Sequence, residues 1–246
     1  MSEYLNFSLE GKVALVTGAS YGIGYAIASA YAKSGAKIVF CDIKQEFVDK
    51  GMAAYTADGI DAKGYVCDVT NEEMVQEMVK KIEAEVGVID ILVNNAGISL
   101  IKQINDTTAE EYDKIMSVNA RSYFLCSREA IKLMLKNHEG AIVNVSSMWG
   151  QTGASCEIAY SMSKAAVIGL TRSLAEELAP SGITVNCVCP GIIDTRMNNM
   201  FDKNELEEEV PLGRLGTSEE VADAIFYLTQ NKYITAQILG VNGGII

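Results

Sequence analysis

Short apolar runs, rich in β-branched residues, alternate along the chain with longer amphipathic stretches. The apolar runs are nearly continuous and show little alternation with polar residues, which is typical of strands buried on both faces of a parallel sheet. The amphipathic stretches have the length and period of helices. The pattern predicts strands at residues 12–18, 37–42, 63–69, 89–95, 141–147, 183–191 and 237–244.

The stretches between these runs predict the helices, and several carry residues that favour helix ends. Gly35 closes the first helix, Asn71 caps the third, and Pro180 with Gly182 ends the one before the sixth strand. Strand–helix alternation with right-handed crossovers gives a doubly wound parallel sheet with helices on both faces. We therefore predict an α/β fold in which residues 1–246 form a single domain. The predicted helices cover residues 21–35, 43–57, 71–86, 108–136, 160–179 and 218–229.

Polar and glycine residues gather where the predicted strands end. In an open parallel sheet, ligands bind outside the carboxyl ends of the strands. The sequence therefore predicts a site at that edge of the sheet. The residues that fall there are the glycine-rich turn after the first strand, Asp42, Asp68, Asn95, Ser147 and the Pro190–Gly191 pair.

Composition excludes several classes of partner and site. The chain has 246 residues and a net charge of −12, which argues against nucleic acid or anionic membranes as its main partner. The N-terminus lacks a signal-peptide pattern and no apolar run reaches membrane-spanning length, so we expect a cytoplasmic protein. The six cysteines form no CxxC pair and the only histidine, His138, fits a turn, so we expect no metal site and buried, reduced thiols.

The turn TGASYGIG follows the first strand and opens the first helix. Its glycines, Gly18, Gly22 and Gly24, allow the backbone to approach a pyrophosphate, and the helix N-terminus offers free N–H groups. Asp42 ends the second strand, where a carboxylate accepts hydrogen bonds from ribose hydroxyls and repels a 2′-phosphate. These features predict a dinucleotide site that prefers NAD(H) to NADP(H).

Ser147, Tyr160 and Lys164 are the candidate catalytic residues. Tyr160 and Lys164 are four residues apart, so they share one face of a helix. A tyrosine ordinarily titrates near pH ~10, and an ammonium beside the phenol favours the phenolate. With Ser147 holding a substrate oxygen, this group can pass a proton to or from a carbonyl oxygen.

These motifs, in this order and spacing, resemble the short-chain dehydrogenase/reductase family, whose fold is of the Rossmann type. The resemblance extends from Leu9 to the C-terminus. The matching segments are TGASYGIG (17–24), CDV (67–69), NNAG (94–97), VNA around Asn119, Ser147, YSMSK (160–164), PGIIDT (190–195) and ITAQILGVNGG (234–244).

The resemblance implies a role for each matching residue. Ser147 would orient the substrate oxygen, Tyr160 would exchange the proton, and Lys164 would hold the nicotinamide ribose and lower the Tyr160 pKa. Asn119 would anchor a water that links Lys164 to solvent, and Asn94 would brace strands. The expected cofactor-binding residues are Gly18, Ser20, Tyr21, Gly22, Ile23, Gly24, Asp42, Asp68, Val69, Asn95, Tyr160, Lys164, Ile193 and Thr195.

The resemblance also implies a homotetramer and a substrate lid near residues 195–212. Many NADP-using members carry Arg where this chain has Tyr21, which again favours NAD(H). The N-terminal half resembles gluconate 5-dehydrogenases, and the part after Gly140 resembles 3-oxoacyl-thioester reductases. The leading interpretation is an oxidoreductase of small or medium secondary alcohols and ketones. The alternatives are a 3-oxoacyl-thioester reductase and, less favoured, a non-catalytic dinucleotide-binding regulator.

Overall fold

A computed structural model describes residues 7–198 and 201–245. Within them, seven parallel strands form one sheet in the order β3-β2-β1-β4-β5-β6-β7. The order reverses between β1 and β4, which opens a crevice at the carboxyl ends of those strands. The strands are β1 (Val13–Thr17), β2 (Lys37–Asp42), β3 (Ala62–Val66), β4 (Ile91–Asn94), β5 (Gly140–Val145), β6 (Ile183–Pro190) and β7 (Ile238–Val241).

Helices cover both faces of the sheet. Successive strand residues point to opposite faces, so Val16 packs with one helical layer and its neighbour Leu15 with the other. None of the helices in the described residues is both long and apolar enough to cross a membrane. The helices are α1 (Gly22–Lys33), α2 (Gln45–Ala57), α3 (Glu72–Glu85), α4 (Ala109–Met116), α5 (Ser122–Asn137), α6 (Trp149–Thr152), α7 (Ile158–Leu178), α8 (Lys203–Glu208) and α9 (Ser218–Gln230).

The predicted fold class is confirmed, but four elements differ from expectation. β3 ends at Val66, before its predicted end, because Asp68 forms a turn with Thr70 that takes the chain out of the sheet. The predicted helix over residues 108–136 is two helices, α4 and α5, joined by a π-helical turn at Ser117–Arg121. The short helices α6 and α8 were not predicted; of the expected lid, residues 199 and 200 lie outside the described part of the chain.

Candidate active site

Tyr160 and Lys164 lie one turn apart in α7, as the spacing predicts. Lys164 is only 4% exposed, and its Nζ lies 5.8 Å from the centre of the Tyr160 ring. That nitrogen donates a hydrogen bond to the carbonyl oxygen of Val145, at 2.9 Å. The last residue of β5 therefore holds the Lys164 ammonium beside the Tyr160 phenol.

Ser147 follows β5 by two residues and is 7% exposed. Its Oγ accepts a hydrogen bond from the backbone N–H of Trp149 at 3.2 Å, where the chain turns into α6. Ser146 beside it donates to the carbonyl oxygen of Lys164 at 2.7 Å, which ties the end of β5 to α7. This link holds Ser147 against the face of α7 that carries Tyr160.

Burial shifts the ionisation of both members of the pair. Burial raises the pKa of Tyr160 to about 12; the Ser147 hydroxyl lowers it and the nearby Glu157 carboxylate raises it further. Burial also lowers the pKa of Lys164 to about 8. The pKa of Tyr160 therefore lies above its ordinary value in the protein alone, and its depression by Lys164 stays a prediction. The cause is desolvation, which disfavours the charged form of both side chains.

Asn119 is fully buried in the π-helical turn. Its Oδ1 accepts from the N–H of Ile98 at 2.9 Å, and its Nδ2 donates to the carbonyl of Ile98 at 2.8 Å and to Ser163 Oγ at 3.0 Å. Ser163 in turn donates to the carbonyl oxygen of Tyr160 at 2.6 Å. Asn119 thus connects the loop after β4 to the helix that carries the catalytic pair.

Gly97 brings Asn119 and Lys164 to the same place. A Cβ on Gly97 would lie 3.4 Å from Asn119 Oδ1 and 3.4 Å from Lys164 Nζ. The four predicted catalytic residues are therefore grouped at the carboxyl edge of β4 and β5. A π-helical turn is a frequent mark of a functional site, because it disturbs the regular hydrogen-bond ladder.

Three residues of this group were not predicted from the sequence. Ser163 carries the link from Asn119 to Tyr160, and its place within YSMSK could have indicated it. Val145 contributes only its carbonyl oxygen, which no side-chain pattern reveals. Glu157 immediately precedes α7, and burial raises the pKa of its carboxyl group.

The glycine-rich turn fits a dinucleotide phosphate. Gly22 has φ of +61°, and no atom lies within 4 Å of where its Cβ would be, so the backbone is open to a ligand. A Cβ on Gly24 would come within 2.6 Å of Asn95 Nδ2 and of the Gly18 carbonyl oxygen. The Ser20 hydroxyl is buried and has no hydrogen-bond partner among the described residues. A polar ligand at the turn would satisfy that hydroxyl.

The other expected cofactor residues surround the same crevice. Asp42 accepts from its neighbour's backbone N–H through Oδ1 only, and Asp68 uses Oδ1 for Thr70. Asn95 donates to the carbonyl oxygens of Thr17 and Gly18, both at 3.0 Å, and so supports the turn from β4. Val69 follows Asp68 in the sequence, and its side chain is buried. One carboxylate oxygen of each aspartate therefore has no intramolecular hydrogen bond within the described residues.

Ile193 and Thr195 lie in the segment after β6. Ile193 is buried and forms a parallel bridge with Gly216, while Asn198 donates to its carbonyl oxygen at 2.8 Å. A cavity of about 330 Å³ opens beside this segment, with Thr195, Phe201 and Leu206 in its lining.

Other residues behave as structural parts. Asn94 donates to Ser127 and Asn144, at 3.0 and 2.8 Å, which confirms that it braces strands. His138 ends α5 in a left-handed turn with φ of 50°. All six cysteines are free, and five of them are buried; Cys156 is half-buried. Among the described residues, no group of three or more His, Cys, Asp or Glu side chains is placed to hold a metal ion.

Known proteins resemble this chain along almost its whole length. A family model described as Enoyl-(Acyl carrier protein) reductase matches residues 18–246. The 3-oxoacyl-(acyl-carrier-protein) reductase of Vibrio cholerae is 41% identical over 242 residues, 96% of this chain and 98% of the relative. The reductase of the same name from Thermotoga maritima is 39% identical over 245 residues, 97% of this chain and 99% of the relative.

Solved structures share the fold closely. The crystal structure of a "putative gluconate dehydrogenase" from Agrobacterium tumefaciens has a TM-score of 0.93 and 32% identity to this chain. The match covers 97% of each chain.

Proposed function

Since the chain belongs to the short-chain dehydrogenase/reductase family, we propose that it is an NAD(H)-dependent oxidoreductase of small or medium secondary alcohols and ketones. The observation that carries the proposal is the grouping of Tyr160, Ser147, Lys164 and Asn119 beside an open glycine-rich turn. When bound, the dinucleotide supplies the hydride acceptor or donor.

The chain's own residues would manage the proton and the oxygen. The Ser147 hydroxyl acts on the Tyr160 phenol and lowers its pKa, so the two hydroxyls would hold one substrate oxygen between them. In the direction of oxidation, Tyr160 would act as the phenolate and take the proton of the substrate hydroxyl, and the bound dinucleotide would supply the hydride acceptor. Lys164, with a pKa of about 8, is able to gain or lose a proton near neutral pH and so to restore the charge at Tyr160.

Preference for NAD(H) is supported by Asp42 and Tyr21. Asp42 ends β2 with Oδ2 free of intramolecular hydrogen bonds among the described residues, so it is available to ribose hydroxyls. A 2′-phosphate at this place would face that carboxylate and would be repelled. Tyr21 adds no charge of its own to the turn.

A substrate without multiple negative charges is supported by the groups around Tyr160. Glu157 lies three residues before Tyr160 and is half-buried, and its carboxylate raises the Tyr160 pKa. The proposed lid, residues 195–212, adds an acidic segment at 202–210. Both features would repel an anionic substrate and accept hydrogen bonds from hydroxyl groups.

A second function is favoured by the relatives rather than by the site. The curated relatives cited above are named 3-oxoacyl-(acyl-carrier-protein) reductases and align along almost their whole length. Reduction of a 3-oxoacyl thioester would use the same Tyr160, Ser147 and Lys164. The two functions therefore differ in substrate and preferred direction, and not in catalytic residues.

One experiment tests the proposal and separates the two functions. The purified enzyme is assayed with NAD⁺ against secondary alcohols, including sugar acids and polyols, and with NADH and NADPH against acetoacetyl-CoA and ketones. We expect NAD⁺-linked oxidation that the Tyr160→Phe variant loses by about 100-fold or more. Faster reduction of acetoacetyl-CoA with NADPH would support the thioester reductase, and unchanged turnover in Tyr160→Phe would contradict both.

A further inference from the structure

The guanidinium of Arg196 lies over the ring of Tyr21, 4.9 Å from the ring centre. Arg196 begins the 3-10 turn that follows β6, and Tyr21 is the residue immediately before α1. The contact therefore joins the segment after β6 to the glycine-rich turn. A cation over an aromatic face is an attractive arrangement that fixes the position of the guanidinium.

The charge of Arg196 is not neutralised within the part of the chain that the structure describes. No carboxylate among residues 7–198 and 201–245 forms an ion pair with it, although the chain carries a net charge of −12. The nearest acidic residue in sequence, Asp194, pairs instead with Lys203 at 2.6 Å. Arg196 is exposed, so its donors are open to an anion from solution.

The ring of Tyr21 is itself held in place. It meets the ring of Phe47 in α2 edge-on, with centres 6.2 Å apart, and Lys44 lies over Phe47 at 5.7 Å. Tyr21 is the N-terminal cap residue of α1, and its side chain makes no capping hydrogen bond. The guanidinium of Arg196 is therefore placed beside the helix N-terminus where the unpartnered Ser20 hydroxyl and the open Gly22 backbone lie.

We propose that Arg196 is a cofactor-binding residue whose guanidinium pairs with the diphosphate of the dinucleotide, and that the Tyr21 ring positions it. The inference rests on the proposed function only in that the glycine-rich turn binds a dinucleotide. TGASYGIG contains no cation, so the positive charge for the phosphates comes from a distant segment of the chain. Helix N–H groups and one charge-assisted pair then act on the same anion.

The test measures binding of ADP-ribose and of adenosine to the full-length protein by calorimetry. We expect Arg196→Gln to weaken the binding of ADP-ribose by about 10- to 150-fold, the range for a hydrogen bond to a charged group, and to leave the binding of adenosine unchanged. The salt dependence of ADP-ribose binding should also become shallower. Lys37→Gln is the matched control, since Lys37 is exposed at the opposite edge of the sheet, where β2 begins.

Two further variants test the role of the ring. Tyr21→Leu should bind ADP-ribose more weakly than the wild type does. Tyr21→Phe keeps the aromatic face and should retain most of the wild-type affinity. Equal ADP-ribose affinity in the wild type and Arg196→Gln would overturn the inference, as would a wild-type protein that binds no ADP-ribose. Failure to oxidise any alcohol, with the Arg196 effect intact, would instead count against the proposed function alone.

Discussion

The ammonium of Lys164 and the hydroxyl of Tyr123 donate to one acceptor, the carbonyl oxygen of Val145, at 2.9 and 3.0 Å. Lys164 is therefore buried with a neutral partner, and among the described residues it forms no ion pair with a carboxylate. Burial of that charge lowers its pKa to about 8. The site holds a lysine that destabilises the fold when it is protonated, and whose protonation changes near the pH of the cell.

Replacing Lys164 with Met should stabilise the protein and abolish turnover. The folded pKa of about 8 lies below the ordinary 10.5, so the unfolded chain binds the proton more tightly. The loss of folding stability that comes from burying protonated Lys164 is therefore complete below pH 8 and disappears as pH rises towards 10.5. We expect Lys164→Met to gain on the order of 1–3 kcal/mol of unfolding free energy at pH 7. Tyr123 still satisfies the Val145 carbonyl.

Urea unfolding at pH 7 and at pH 10 measures this effect. The gain should be large at pH 7 and small at pH 10. A Lys164→Met protein that is less stable than the wild type at pH 7 would contradict the account of the buried charge.

Glu157→Gln should move the pH profile of alcohol oxidation towards lower pH. The Glu157 carboxylate raises the Tyr160 pKa, and glutamine keeps the shape without the charge. The other ionisable groups near the phenol, which are Lys164, Cys189 and Tyr123, remain. We expect the limb assigned to Tyr160 to shift by up to about one pH unit. Glu73→Gln, an exposed position on α3, is the control, and an unshifted profile in Glu157→Gln would show that the carboxylate does not act on Tyr160.

Ser163→Ala should reduce turnover while its neighbour Ser161→Ala does not. Ser163 accepts from Asn119 and donates to the Tyr160 carbonyl oxygen, so its loss frees α7 from the loop after β4. Ser161 lies on the same helix, but its buried hydroxyl has no partner among the described residues. We expect a destabilisation of about 1–3 kcal/mol for Ser163→Ala and little change for Ser161→Ala. Equal kcat values and equal melting temperatures in the two variants would show that the Ser163 hydroxyl does not position Tyr160.

Gly24→Ala should impair dinucleotide binding and stability together. Its Cβ would come within 2.6 Å of the Gly18 carbonyl oxygen, and backbone in a tight turn has little room to move. We expect a loss of about 1–3 kcal/mol of stability and weaker NADH binding. Gly169→Ala in α7, where nothing lies within 4 Å of the new Cβ, is the control and should be neutral or slightly stabilising. Unchanged NADH binding in Gly24→Ala would show that the turn does not contact the cofactor.

Much of the fold follows from the sequence because strands that are buried on both faces consist almost entirely of apolar residues. Continuous apolar runs such as residues 37–42 identify the strands, and the order of strands and helices then fixes which ends share an edge. Because Asp42, Asn95 and Ser147 all lie at strand ends, the strand order alone predicts that they lie near one another. The glycine-rich turn and the Tyr160–Lys164 spacing depend on local geometry, which a sequence reveals directly.

The remaining features depend on packing that local patterns do not record. The π-helical turn at Ser117–Arg121 adds one residue to a helical ladder, a change too small to alter the apolar period. The pKa of Tyr160 depends on how deeply α7 is buried, and spacing alone cannot supply that depth. The Arg196–Tyr21 contact joins residues far apart in sequence, and nothing local to either one indicates it.

Titration of the wild-type protein and of Asp42→Ala with NADH and with NADPH tests the central claim most directly. The account predicts that the wild type binds NADH at least about tenfold more tightly, because a 2′-phosphate faces the Asp42 carboxylate. Asp42→Ala should bring the two affinities closer together, because it weakens the binding of NADH and strengthens the binding of NADPH. Tighter binding of NADPH to the wild type would contradict the NAD(H) assignment and would favour 3-oxoacyl-thioester reduction.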